Sequence, residues 1–155
     1  MSIAISKFFN EFLHNGALLL KYICMKIVVI DGQGGSIGRE TAQRLLKKFP
    51  KEYIYCIGTN SAATQNMLKS GAVNCATGEN PVAVACRDAD YIIGPIGIVL
   101  VDAMLGEITP LIASSVSNSP AHKILIPVNR CVTVAGVEDC SLDAYIDMAV
   151  KSCIE

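Results

Sequence analysis

The chain has 155 residues, a formal net charge of −1 and only 17% charged side chains, against a usual share of about 25%. That length suits one domain with a real core, and the charge shows neither the basic excess of a nucleic-acid binder nor an acidic solvating tail. With 52% hydrophobic residues, so few charges point to surface hidden in a homo-oligomer, or to a sheet covered by helices on both faces.

Residues 1–24 differ from the rest. Phe8, Phe9, Phe12 and Leu13 recur at helical spacing. The apolar run from Ala17 to Leu20 is broken by Lys21, so it is too short to span a membrane. No small-residue cleavage site follows it, which argues against a secretory signal. The reading preferred here is an upstream start placed ahead of a natural start at Met25. The alternative is a helix that packs on a partner or on a membrane surface. Residues 25–155 then form one domain.

From Met25 onward, strand-like and helix-like segments alternate. Lys26–Asp31 reads as an apolar first strand. The stretch from Ser36 to Phe49 reads as a helix, with Ile37, Ala42, Leu45, Leu46 and Phe49 on or near one face, and Pro50 ends it. Tyr53–Ile57 is the second expected strand. A helix is expected from Ser61 to Ser70, then a short strand at Val73–Ala76. Asn80-Pro81 signals a helix start, with the helix running to Arg87. Ala89–Ile93 is the fourth expected strand. The apolar run Ile98–Leu105 reads as a helix closed by Gly106. Thr109-Pro110 opens another, to Ser117. Lys123–Pro127 is the fifth expected strand, and Val132–Val137 reads as a further edge strand. Ser141 caps a last helix through Ile154. Alternation at this spacing predicts an α/β, Rossmann-like three-layer α/β/α fold with a mostly parallel five- to six-stranded sheet.

Seven cysteines include no C-x-x-C pair, and the two histidines give no zinc-finger spacing. No metal site is expected. Free thiols fit a cytoplasmic protein.

In such sheets ligands bind beyond the carboxyl ends of the strands. The segments there are Asp31-Gly-Gln-Gly-Gly-Ser36, Gly58-Thr-Asn-Ser61, Thr77-Gly-Glu-Asn80, Gly94-Pro-Ile-Gly97 and Val128-Asn-Arg130. All are glycine-rich or carry hydrogen-bonding side chains, whereas the loops at the opposite end are ordinary charged turns. Turn and cap roles alone also use these residue types.

Four glycines, Gly32, Gly34, Gly35 and Gly38, fall within seven residues between the first strand and the first helix. A tight turn into a helix aims backbone N–H groups and the positive end of the helix dipole at one point, which favours an anion such as phosphate. The spacing Gly32-x-x-Gly35-x-x-Gly38 fits a variant dinucleotide loop; the commoner G-x-G-x-x-G fails at Ile37, and no Walker A lysine follows. The expected ligand contacts are Gly32, Gln33, Gly34, Gly35, Ser36 and Gly38 of the loop, with the N–H groups of Gly34, Gly35 and Ser36 on the phosphate, Thr59 and Asn60 on a ribose, and Thr77, Glu79, Asn80 and Asn129 on the rest. The residues do not identify a cofactor; NAD(P) and other nucleotides are the candidates. NAD and NADP are not separated, because neither an acid nor an arginine follows the second strand. No Tyr-x-x-x-Lys pair is present.

Gly34-Gly-Ser-Ile-Gly38 also fits the hydrolase elbow G-x-S-x-G, with Asp90 or Asp102 and then His122 in the order hydrolases use. His122 precedes the fifth strand, however, at the end of the sheet away from Ser36. Asp31 and Glu79 are the weak catalytic candidates. Together they would hold Mg²⁺ or serve as acid and base. Alternatively, Asp31 caps the glycine loop and Glu79 sits at the positive end of a helix.

The set Ile30-Asp-Gly-Gln-Gly-Gly, Gly58-Thr-Asn, Ala76-Thr-Gly-Glu-Asn80, Gly94-Pro-Ile-Gly-Ile98, Gly106-Glu-Ile-Thr-Pro110 and Ile124-Leu-Ile-Pro-Val-Asn129 resembles a family of small proteins found mainly in anaerobic Gram-positive bacteria and described only as a domain of unknown function. The resemblance covers nearly all of residues 25–155. It implies a cytoplasmic Rossmann-like protein and no particular reaction. Members often carry glycine where this chain has Ser36, which weakens the hydrolase reading. Three functions remain: a binder of a phosphorylated small molecule, a non-catalytic oligomeric sensor or structural protein, and a small-molecule enzyme using Asp31 and Glu79. Neither nucleic acid nor membrane is expected as a partner.

Overall fold

The computed structural model describes residues 25–128 and 132–153. The amino-terminal segment, Asn129, Arg130, Cys131 and the expected end of the last helix at Ile154 lie outside the described residues.

The chain order is β1 (Ile27–Asp31), α1 (Ser36–Leu45), β2 (Ile54–Gly58), α2 (Ser61–Leu68), β3 (Asn74–Thr77), α3 (Glu79–Ala85), β4 (Tyr91–Pro95), α4 (Pro110–Asn118), β5 (His122–Ile126) and α5 (Leu142–Lys151). Short 3-10 turns at Lys51–Tyr53 and Ile96–Val99 link some of them. The five strands form one sheet in the order β3-β2-β1-β4-β5, and each pairing is parallel. The expected α/β class and parallel sheet are therefore present.

β1 lies at the centre, and every one of its residues is buried. Its side chains alternate between two cores, as the pleat requires. Ile27 and Val29 pack with Ala42 and Leu45 of α1, Met67 of α2 and Ile146, Ala149 and Val150 of α5. Val28 and Ile30 pack with Val82 of α3, Ile112 and Val116 of α4, and Ile98 and Ile108. A strand buried on both faces reads as a continuous apolar run, as Ile27–Ile30 does. Among the described residues no helix is long and apolar enough to cross a membrane.

Helix starts follow local chemistry. Thr109 accepts the N–H of Ile112 and Ser141 that of Ala144, both as expected for N-caps. Asn60 does the same for Ala63.

Three expectations change. Ile98–Leu105 is not a helix: it is the end of a 3-10 turn, then a looped strap in which Asp102, Met104 and Leu105 have φ of 63°, 57° and 61°. The strap doubles back because Asp102 N–H bonds Ile108 O and Ile108 N–H bonds Ala103 O, which sinks Ile108 into the core. Asn80 is not a cap. Gly78, at φ 105°, takes that position, so Asn80 and Pro81 fall in the first turn of α3, where proline's missing N–H costs nothing. Residues 132–137 form no strand. They turn at Gly136, with φ 83°. Just beyond, the Tyr145 hydroxyl of α5 donates to Glu138 O and accepts from Cys140 N–H, holding the chain against α5 instead of the sheet edge.

Candidate functional site

In the order β3-β2-β1-β4-β5 the chain reverses direction across the sheet between β1 and β4. The crevice at such a reversal is where open α/β sheets place ligands. The glycine loop, residues 32–35, begins at this point. β4 comes close here because Gly94 has no side chain: an added Cβ would lie 2.4 Å from Ile30 O.

Asp31 organises the loop. One carboxylate oxygen accepts Gly32 N–H at 2.8 Å and the other accepts Gly38 N–H at 2.7 Å. The start of α1 is thus capped from the end of β1, and its cap residue Gly35 needs no side-chain oxygen. Burial pushes the Asp31 carboxyl up to about 6, against the downward pull of the Gly38 and Gly32 N–H groups; the charge of Glu107 pushes it further up. Glu79 lies outside these bonds, accepting the hydroxyl of Thr109. Of the two roles expected for Asp31, the geometry matches the cap.

The glycines divide by role. Gly35 has φ 66° and a Cβ there would lie 2.5 Å from Ala63 O; at Gly38 it would lie 2.5 Å from Met67 Sδ. At Gly32 it would strike Met104 Sδ, Glu107 Oε2 and Thr59 Oγ1 at 2.6–2.7 Å. These three are bare because other parts of the fold pack on them. Gly34 alone of the four is open, with nothing within 4 Å of an added Cβ. Gln33 and Ser36 beside it are exposed.

The residue that sequence reasoning missed is Glu107. The strap carries its carboxylate over the glycine loop, where Oε2 accepts Gln33 N–H at 2.8 Å, the Thr59 hydroxyl at 2.5 Å and the Asn60 amide at 2.8 Å. Desolvation raises its pKa, but the bonds from Thr59, Gln33 and Asn60 outweigh that and hold the group below its ordinary value. Thr59 and Asn60, expected to meet a ribose directly, therefore hold Glu107. The Asn60 amide also reaches Gln33 O at 3.0 Å, and Asn66 reaches Gly34 O at 2.8 Å. The signal was a lone acid between Gly106 and the buried Ile108, on the carboxyl side of β4.

Gln33, Thr59 and Asn60 thus meet at one point. Thr77, at the end of β3, instead pairs its hydroxyl with that of Thr64 at 2.7 Å, and Asn80 is exposed on α3. Asn129 lies outside the described residues. His122 opens β5 at the amino end of the sheet, edge-on to Tyr91, so Ser36 has no histidine beside it from that source. Among the described residues no group of three or more His, Cys, Asp or Glu side chains could hold a metal ion. A cavity of about 410 Å³ lies at the far end of α1, lined by Arg44, Lys47, Lys48, Asp147, Val150 and Lys151.

A parallel sheet with a glycine turn at its switch point defines a Rossmann-like α/β domain. The chain belongs to the family described as "Domain of unknown function (DUF3842)", whose model matches residues 26–155. Among solved structures it is similar to a triphenylmethane reductase of Citrobacter sp., described in the context of bioremediation of triphenylmethane dyes, with a TM-score of 0.50 and 15% identity. That likeness covers 84% of this chain and 66% of the reductase, and it is a likeness of fold. No curated protein matches the sequence.

Proposed function

We propose that this domain binds a nucleotide, dinucleotide or other phosphorylated small metabolite at the carboxyl ends of β1 and β2. The observation that carries this reading is Gly34. It is the one glycine of the loop that the fold does not explain, and it lies open at the switch point, one residue from the first turn of α1. Ser36 N–H lies ahead of the helix ladder, whose first bond runs from Arg39 N–H to Gly35 O. Donors in that turn suit a phosphate. Asp31 is left out of the chemistry, because both of its carboxylate oxygens already accept backbone N–H groups; Glu79 makes no bond to the glycine loop and instead accepts the Thr109 hydroxyl.

The test is thermal unfolding of the protein against a panel of nucleotides and phosphorylated metabolites. A binder at about 100 times its Kd adds about 2.7 kcal/mol to stability. Gly34→Val is expected to remove that shift while leaving the unliganded melting temperature unchanged. A shift that survives in Gly34→Val would move the site away from the loop.

A second reading, a non-catalytic homo-oligomer, is favoured by one observation. Leu105 at the tip of the strap is 98% exposed, and Val101 on the same strap is also exposed.

A further inference from the structure

We infer that Glu107 is the residue that recognises the sugar: its carboxylate accepts the hydroxyls of an unsubstituted ribose and excludes a ribose bearing a 2′-phosphate. This rests on the nucleotide reading of the glycine loop.

Dinucleotide sites of this architecture keep a carboxylate beside the end of the second strand, where it accepts the ribose hydroxyls; sites for 2′-phosphorylated ribose offer an arginine instead. After β2 this chain has Thr59 and Asn60, which cannot play either part. The fold supplies the carboxylate from another loop. Glu107 arrives from beyond β4, and Gln33, Thr59 and Asn60 fix it between the glycine loop and the end of β2.

The bonding leaves the group half used. All three of those bonds end on Oε2, and among the described residues Oε1 accepts none. A carboxylate oxygen has two lone pairs, so Oε1 has the capacity for two hydroxyl donors. The bonds on Oε2 fix its position and keep the group ionised, which makes it a strong acceptor. The same negative charge repels a phosphate at the 2′ position. Arg39 of α1 is held by Glu40 at 2.7 Å and Asn66 at 3.4 Å and makes no bond to Glu107. The constriction at Gly32 fits this role: a side chain there would displace Glu107 and with it the sugar contact.

The experiment is calorimetric titration of the full chain with NAD, NADP and inorganic pyrophosphate, in the parent and in Glu107→Gln. Glutamine keeps a carbonyl acceptor but loses the charge. The parent is expected to prefer NAD over NADP by at least about tenfold, the effect of roughly 1.4 kcal/mol. In Glu107→Gln the NAD-to-NADP ratio is expected to fall towards one, while pyrophosphate, which has no sugar, gains only from the loss of negative charge beside Gln33. Equal binding of NAD and NADP by the parent would overturn this inference and leave the nucleotide reading standing. If Glu107→Gln tightens all three ligands alike, Glu107 occupies the site instead of reading the sugar, and the inference also fails. If none of the three binds the parent, the nucleotide reading falls first. The parent ratio needs no variant, so a poorly folding Glu107→Gln still leaves a decisive measurement.

Discussion

Glu107 and Gln33 stand 74 positions apart in the chain, yet the carboxylate of one accepts the backbone N–H of the other at 2.8 Å. The bond fastens the loop that follows β4 onto the loop that follows β1. It also supports Gln33 in a left-handed conformation, φ 48°, which a non-glycine residue adopts only at a cost.

Glu107→Ala removes the acceptor shared by Gln33, Thr59 and Asn60. Water reaches these partly exposed donors, so the loss belongs in the lower part of the range for unsatisfied groups, about 1–2 kcal/mol. Urea unfolding at neutral pH measures it. A change below about 0.5 kcal/mol would mean that packing of Ile108 alone holds the strap.

The two acids of the site oppose one another in pH. Asp31 is raised from 3.8 to about 6 in the fold. Its contribution to stability is present below pH 3.8 and is lost as pH rises through about 6. A shift of that size is worth on the order of 3 kcal/mol. Glu107 is lowered, so its contribution is present above the ordinary carboxylate value and is lost as pH falls. Carbon-detected NMR of the carboxyl groups should find Asp31 titrating near 6. A midpoint at or below 3.8 would show that its two N–H bonds outweigh burial.

Gly35→Ala and Gly34→Ala should differ sharply, although the positions are neighbours. The first forces a side chain into a left-handed residue and against Ala63 O, at an expected cost above about 2 kcal/mol. The second meets open space and should change stability by less than about 0.5 kcal/mol. Thermal melts of both variants decide it. Similar losses at the two positions would show that Gly34 is structural too.

If the strap is an oligomer contact, the parent is larger than a monomer in solution and Leu105→Ser lowers its mass. Light scattering after size-exclusion chromatography reads both. A monomeric parent removes the oligomer reading.

Much of this fold was written locally. The alternation of apolar runs with capped helices located every strand of the sheet, and Thr109 and Ser141 cap where their spacing says they should. The strap was illegible because Ile98–Leu105 has helical spacing, while the bonds that unwind it come from Ile108, beyond its end. Val132–Val137 has the composition of a strand, but the bonds from Tyr145 to Glu138 and Cys140 hold the chain just beyond it against α5 instead of the edge of β5, and β propensity without a partner is weak information. The glycine loop was legible as a turn. That three of its glycines answer to Ala63, Met67 and the strap was not, since those contacts span distant parts of the chain.

Gly32, hemmed in by Met104, Thr59 and Glu107, ties separate stretches of the chain into one heritable unit. A lineage that enlarges residue 32 must shorten or remove what leans on it, and one that loses Glu107 relaxes the demand for a bare backbone there. Across related sequences, positions 32, 104 and 107 should therefore change together. Gly34 belongs to no such unit. Its persistence in relatives whose straps have diverged would record selection by a small molecule and not by the fold.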